Sequence, residues 1–357
     1  MKEIISQFFG DKKFSKAIPF GSGHINDTYR IVGVEGVQED FLLQRINHHV
    51  FQDVPLLMGN MVAVTDHLNR KIVTSAELSS TTQTIDIIPA INGQSFIEDG
   101  SGDFWRVMVF LKGYESYDLV ETPEQAYYGA RAFGQFMMML DDFDASTLGD
   151  VIPDFHNIIS RLTAFQSAVS QDVAGRVARC QDEIKYVLSL ADQMCGIEKL
   201  KQSGAIRQRV THNDTKFNNV LLSADHQRSC VIDLDTVMPG VVHYDFGDGV
   251  RTSTGTAAED ELNLDKIQFD MEKFEAFAHG YLEMTREVLQ PIELAHLALS
   301  GPLLAYIMGV RFLTDYLSGD HYYKIAYEQH NYDRARNQLT FTKRMMERLP
   351  DMAAILA

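Results

Sequence analysis

Apolar residues recur along this chain with two different periods, and the change of period divides it. In the first part the apolar runs are short and strand-like: FLLQRI within residues 40–47, a second run at 84–88 and a third at 105–110. Asn92-Gly93 and the glycines at 100 and 102 mark turns between them, which predicts an antiparallel sheet. A glycine-bearing turn, FGSGHINDTYRIVGV from Phe20, joins two further extended segments. One helix interrupts this region, opened by Pro55 and carrying Leu57, Met61, Val64 and Leu68 at helical spacing.

Beyond residue 120 the period becomes three and four. Thr122-Pro123-Glu124 combines a cap, a first-turn proline and a first-turn acid, and Ala126, Ala130, Phe133, Met137 and Leu140 then mark one buried face. Ile184, Val187, Ala191 and Met194 mark another, and Phe274, Phe277, Tyr281 and Val288 a third. The expected architecture is therefore α+β, with a small antiparallel-sheet lobe over residues 1–112 and a larger, mainly helical lobe over 113–357. The most membrane-like run, residues 297–310, is short, contains Ser300, Gly301 and Pro302, and ends at Arg311. Its length suits a buried core helix better than a span, and Gly301-Pro302 predicts a break in it.

Composition narrows the function. The chain has 32 basic and 49 acidic residues, a formal net charge of -17. That balance argues against nucleic acid or an anionic membrane as the principal partner. Three cysteines, Cys180, Cys195 and Cys230, are an odd number without metal-like spacing, and the first residues lack a signal-peptide core. A reducing cytoplasm is the expected setting.

The chemistry concentrates in residues 209–248, which read RVTHNDTKFNNVLL, a polar turn, and CVIDLDTVMPGVVHYDFGD. Asp214 stands two residues after His212 and five before Asn219, the layout of a phosphoryl-transfer loop. In that layout the aspartate accepts the proton of an attacking hydroxyl and the asparagine reaches a magnesium ion. Val220-Leu221-Leu222 and Cys230-Val231-Ile232 predict a strand pair that delivers Asp233, a second oxygen ligand for a hard cation, beside Asn219. His212 is expected to hold the loop by hydrogen bonds. The alternative is an Asx-rich loop whose side chains bond only their own backbone.

These motifs resemble the aminoglycoside phosphotransferase and choline kinase family, whose fold is protein-kinase-like and bilobal. HNDTKFNNVL, IDLDTVMPG, YDFGDGVR and GVRFLTDYLSGDHYYK are similar, within that family, to the N-acetylhexosamine 1-kinases. The resemblance implies ATP and Mg2+ as cofactors, Asp214 as catalytic base, and Asn219 and Asp233 as metal ligands. Lys216 stands where protein kinases keep a lysine that neutralises the transferring phosphate. Gly21, Ser22 and Gly23 would approach the nucleotide's phosphates through backbone amides.

Where kinases place a phosphate-pairing lysine, this chain has Gln44 and Arg45, which strand alternation puts on opposite faces; Arg45 is the expected phosphate contact. The glutamate a kinase carries on the following helix is missing, with only Asp53 and Asp66 present. Arg311, Tyr322 and His24 are expected at the acceptor, a small neutral sugar of the N-acetylhexosamine type phosphorylated at its anomeric hydroxyl. A kinase for another small alcohol (choline, an aminoglycoside or homoserine) is the nearer alternative, and a non-enzymatic nucleotide-binding regulator the further one. Asp235 is left between touching a metal and binding backbone, and Asp245, Asp248 and Arg251 fit structural or substrate-facing roles equally.

Overall fold

The computed structural model describes residues 1–21 and 25–357. The chain forms two compact units, Met1–Ser116 with Asp142–Pro153 and Asn219–Pro239, and Tyr117–Asp141 with Asp154–Asn218 and Gly240–Ala357.

The first unit opens with helix α1 (Lys2–Phe9) and strands β1 (Lys16–Pro19), β2 (Asp27–Val32) and β3 (Phe41–Ile46). Helices α2 (Val54–Thr74) and α3 (Ala76–Thr81) follow, then β4 (Thr82–Gln83), β5 (Ile87–Ile88), β6 (Ile97–Glu98), β7 (Phe104–Val109) and β8 (Tyr114–Glu115). The main sheet runs β1-β2-β3-β7-β5, antiparallel throughout, with β6 also on β7. Alternation along β3 buries Phe41 and Leu43, and the core beneath adds Ile5, Phe8, Ile31, Trp105 and Val107; Ile46, of the opposite parity, is buried as well. Trp105 is packing, as expected, with its indole N–H donating to Asp99. Asp53 caps α2 by accepting the Leu56 N–H, and the helix buries Leu57, Met61, Val64 and Leu68.

In the rest of the chain come α4 (Pro123–Met139), α5 (Ile158–Gln171), α6 (Gln181–Met194), α7 (Gly196–Gln202), β9 (Arg209–Thr211), β10 (Val220–Ser223), β11 (Ser229–Val231) and β12 (Met238–Gly240). Five helices complete it: α8 (Val242–Ser253), α9 (Met271–Thr285), α10 (Pro291–His296), α11 (Ser300–Ser318) and α12 (His330–Glu347), with a short α13 (Leu349–Leu356) at the end.

The division differs from a single cut near residue 112. The β10-β11 hairpin pairs with β8 on one side and with β4 on the other, so residues 219–239 join the first unit. Residues 142–153 join it through Asn60 of α2, whose amide bonds the backbone of Gly149 in both directions, and through His67 and Lys71, which meet Asp142. Sequence order predicts one boundary; backbone pairing and buried amides decide three segments.

In the second unit α4 starts with a full capping box, Thr122 with Gln125, and packs along α9. Close approach needs glycine here: a Cβ on Gly280 would lie 2.2 Å from the Tyr127 carbonyl oxygen. Helix α11 lies at the centre, against α5, α8 and α12. The run Pro291–Ser318 passes for a membrane span by length and composition, but 78% of its most apolar window is buried inside the protein. Gly301-Pro302 does not break this helix. It sits in the first turn of α11, where proline's missing N–H has no intrahelical partner to lose, after a 3-10 turn at Leu297–Leu299.

Candidate active site

The loop after β9 is held in place from below by α8. The Asp245 carboxylate accepts the backbone N–H groups of His212 (2.8 Å) and Asn213 (2.7 Å), and the Thr215 hydroxyl donates to the Asp245 carbonyl (2.6 Å). Asn213 takes a left-handed backbone, φ 65°, which Asn tolerates better than most residues. Burial pushes the Asp245 carboxyl up to about 6, against the opposing pull of His212 and of the two N–H bonds. Asp245, left open by sequence, is therefore the residue that fixes the loop's backbone.

Two buried imidazoles complete the support. His212 accepts the Asp214 N–H at Nδ1 (3.3 Å) and lies edge-on to Phe133 and Phe136. Its place in the loop's hydrogen bonding matches the expectation for it. His156 meets the Asn213 carbonyl at Nε2 (2.8 Å), and a carbonyl only accepts, so Nε2 carries the proton. Burial holds His156 down to about 4, so it is neutral at physiological pH. Sequence reasoning passed over His156; no local spacing connects it to a loop 57 residues away.

On this platform the Asp214 carboxylate meets the Lys216 ammonium at 2.9 Å. Burial disfavours the charge on Asp214, but Lys216 beside it, with His212 and Arg251, holds its carboxyl below the ordinary range. The Asp214 carboxylate in turn raises the Lys216 ammonium, whose side chain is half exposed. An ionised Asp214 at neutral pH is what a hydroxyl-orienting base requires. Arg251 donates from Nε to Asp248 (2.8 Å) and from its fork to Glu259 (3.2 Å), which assigns Asp248 to an ion pair. Lys216 and Arg251 both line a cavity of about 230 Å³ in the second unit.

The first unit carries the two candidate metal ligands. In the β10-β11 hairpin Val220 faces Val231, and the Ile232 N–H donates to the Asn219 carbonyl (2.9 Å), so Asn219 and Asp233 emerge at the same end. Asp233 adopts φ 60°, ψ 53°, a left-handed conformation of the kind that collects at functional sites. An amide oxygen and a carboxylate are the donor types a magnesium ion accepts, with substrate phosphates supplying the rest. Among the described residues no group of three or more His, Cys, Asp or Glu side chains is placed to hold a metal by itself.

The glycine turn is described only at Gly21, which has φ 80° and open space where a Cβ would stand. Ser22, Gly23 and His24 lie outside the described residues. Arg45 is 43% exposed on its side chain and ion-paired with Asp27 and Asp103. The opposite face of β3 holds a feature the sequence reading missed. Gln44 faces Arg106 of β7, whose guanidinium is buried and bonded to Gln44 Oε1, Asp235 and the Met61 sulfur. Asp235 also accepts from Asn26 (2.6 Å), so its carboxylate belongs to a buried ion pair. The signal was available as one arginine inside the apolar strand FWRVMV.

Arg311 and Tyr322 are brought together. The Arg311 guanidinium lies 5.8 Å from the Tyr322 ring, with Phe155 and Tyr323 at 5.5 and 5.6 Å. The loop carrying both tyrosines is pinned by the Asp315 carboxylate, which accepts the N–H groups of His321, Tyr322 and Tyr323, each at 2.9 Å. Tyr322 stays 68% exposed, and burial pushes the Tyr323 phenol up to about 12.

An antiparallel sheet unit, a helical unit and an aspartate on a backbone-clamped loop define an enzyme of the phosphotransferase class with a protein-kinase-like fold. Residues 16–280 match the model of the phosphotransferase enzyme family, and the chain belongs to that family. Solved structures repeat the fold. An aminoglycoside phosphotransferase from Alicyclobacillus acidocaldarius is 12% identical with a TM-score of 0.63, covering 100% of this chain and 96% of its own. A choline kinase from Cryptosporidium parvum is 14% identical with a TM-score of 0.59, covering 94% and 90%. A microcompartment-associated aminopropanol kinase is 14% identical with a TM-score of 0.57, covering 100% and 98%.

Proposed function

We propose that this phosphotransferase moves the γ-phosphoryl group of ATP to the anomeric hydroxyl of an N-acetylhexosamine, giving the sugar 1-phosphate and ADP. The observation that carries transfer to a hydroxyl is the Asp214 carboxylate, kept ionised beside Lys216 on a loop clamped by Asp245. Asp214 orients the acceptor and takes its proton as the new P–O bond forms and the bond to the ADP oxygen breaks. The Lys216 charge, on a half-exposed side chain, stabilises the negative charge on the transferring group. Asn219 and Asp233 would hold Mg2+, which would supply positive charge against the nucleotide phosphates. Gly21, with Ser22 and Gly23, and Arg45 are assigned to the nucleotide side, and Arg311, Tyr322 and His24 to the acceptor.

The sugar assignment rests on the likeness of HNDTKFNNVL and GVRFLTDYLSGDHYYK to N-acetylhexosamine 1-kinases. An anomeric hydroxyl is more acidic than an ordinary alcohol, which eases proton removal by a carboxylate. Purified protein, ATP and Mg2+ offered N-acetylglucosamine, N-acetylgalactosamine, choline, an aminoglycoside and homoserine test it, with phosphorus NMR to identify the product. A sugar 1-phosphate is expected. A cationic alcohol as the preferred acceptor overturns the sugar assignment, and transfer to none of them favours a nucleotide-binding regulator over an enzyme.

A further inference from the structure

One face of the main sheet carries a polar ladder that ends on the turn bearing Asp233. Thr28 of β2, Gln44 of β3 and Arg106 of β7 are successive register partners, so their side chains stand side by side. Gln44 Nε2 donates to Thr28 Oγ1 (3.0 Å), which turns Oε1 toward Arg106, where it accepts from Nε (3.0 Å) and Nη2 (2.8 Å). Arg106 Nη1 donates to Asp235 and reaches the sulfurs of Met61 (3.3 Å) and Met58 (3.8 Å) on α2. The arginine side chain is 1% exposed and that of Asp235 4%, so this cation is engaged inside the protein and is not offered to a phosphate.

Asp235 lies two residues after Asp233, in the 3-10 turn Leu234–Thr236. Asp233 takes φ 60°, ψ 53°, and a non-glycine residue holds that conformation only where its surroundings fix it. On its N-terminal side the hairpin fixes it, through the Ile232 N–H on the Asn219 carbonyl (2.9 Å). On its C-terminal side Arg106 and Asn26 (2.6 Å) hold the Asp235 carboxylate, and Asn60 Nδ2 of α2 donates to the Val237 carbonyl (2.9 Å). All of these groups belong to the first unit. A buried ion pair is often no more stable than two apolar side chains of the same volume, so stability alone does not account for this one. What the planar fork adds is geometry: bound to Gln44 on one side and to Asp235 on the other, it sets where the carboxylate sits.

We propose that Arg106 is a positioning residue for the metal: by holding Asp235 against the sheet, it fixes the turn that presents the Asp233 carboxylate to Mg2+. The inference rests on Asp233 as a metal ligand of the proposed phosphotransferase. It gives a role to a cation on β7 in a chain whose β3 carries Gln44 and Arg45 in place of a lysine.

Mn2+ in place of Mg2+ tests this without turnover: protein is titrated into Mn2+ and ADP, and the enhancement of water proton relaxation reads the ternary complex. Arg106→Met combined with Asp235→Asn removes both charges at once and keeps an oxygen for Asn26, so the double variant should melt close to the wild type. It should still bind Mn2+-ADP about tenfold more weakly, the equivalent of one lost hydrogen bond, with ADP affinity in EDTA unchanged. An equal loss in EDTA marks general disruption and overturns the inference. Arg106→Lys keeps a cation for Asp235 but lacks the fork that also spans to Gln44, so its affinity should lie between the two. It carries the test if the double variant fails to fold. Affinity at or above wild type in Arg106→Lys means that the fork positions nothing, or that Asp235 itself binds the ion, and overturns the inference. Asp233→Ala separates the two readings. If it leaves Mn2+-ADP affinity unchanged, Asp233 is not a ligand and the inference falls with that assignment. If it weakens binding while the folded double variant keeps wild-type affinity, the inference alone is overturned.

Discussion

Asp245 gives the sharpest test of how this site is built, because its stability and activity effects should run in opposite directions. Its carboxylate is 4% exposed, accepts two backbone N–H groups, and is pushed by burial from the ordinary 3.8 up to about 6. A carboxyl whose folded value is raised contributes most below 3.8, and that contribution is lost as pH rises through 6. The full difference is worth about 3 kcal/mol at neutral pH. Asparagine resembles the protonated acid in shape and cannot ionise. Asp245→Asn should therefore match the wild type in stability near pH 4 and exceed it by up to about 3 kcal/mol at pH 7. Its NH2 group would face one of the two N–H donors, so one tether of the Asp214 loop is lost. A charge-assisted hydrogen bond contributes about 1.5–3 kcal/mol, so turnover should fall about tenfold or more. Urea denaturation of both proteins from pH 4.5 to 7.5, with kinetics at neutral pH, measures both effects. The difference between the two curves isolates Asp245, since every other titrating group is shared. A variant less stable than wild type at pH 7, with the gap widening as pH rises, would show that the N–H bonds outweigh burial and would refute the reasoning.

Further outcomes follow from the same geometry. Asp214→Asn should lower turnover by about 10²–10⁴ while nucleotide affinity, measured by titration, stays within twofold; full turnover removes Asp214 from its role. Arg106→Leu leaves Asp235 buried without its cation and should cost about 3–5 kcal/mol, seen as a large drop in melting temperature, whereas a near-normal melt would mean the pair is not buried in solution. His156 and His243 are both held down to about 4 by burial, so the folded protein resists their protonation. Their contribution is complete above pH 6.5 and is lost as pH falls toward 4, at most about 3 kcal/mol each; His156→Gln should flatten that acid loss in a melting series, and an unchanged slope would contradict it.

These predictions draw unevenly on sequence and on structure. The helical stripes were legible because burial repeats every three to four residues: the face of α4 from Ala126 to Met137 is buried as its spacing predicts. The hairpin that carries Asn219 and Asp233 was legible for a similar local reason, two short apolar runs around a polar turn. Arg106 was not, because its identity as a buried cation depends on Gln44 across the sheet and on Asp235, 129 residues further along the chain. His156 likewise acquires its role from a loop distant in sequence.

The sequence by itself determined the division into a sheet-rich first part and a helical second part, and the family, because periodicity, turn chemistry and a contiguous motif are properties of neighbours along the chain. Tertiary structure alone decided which segments make up each unit, which carboxylate clamps the Asp214 loop, and which arginine is buried. Those assignments depend on hydrogen-bond partners and burial supplied by distant residues, and no local pattern encodes them.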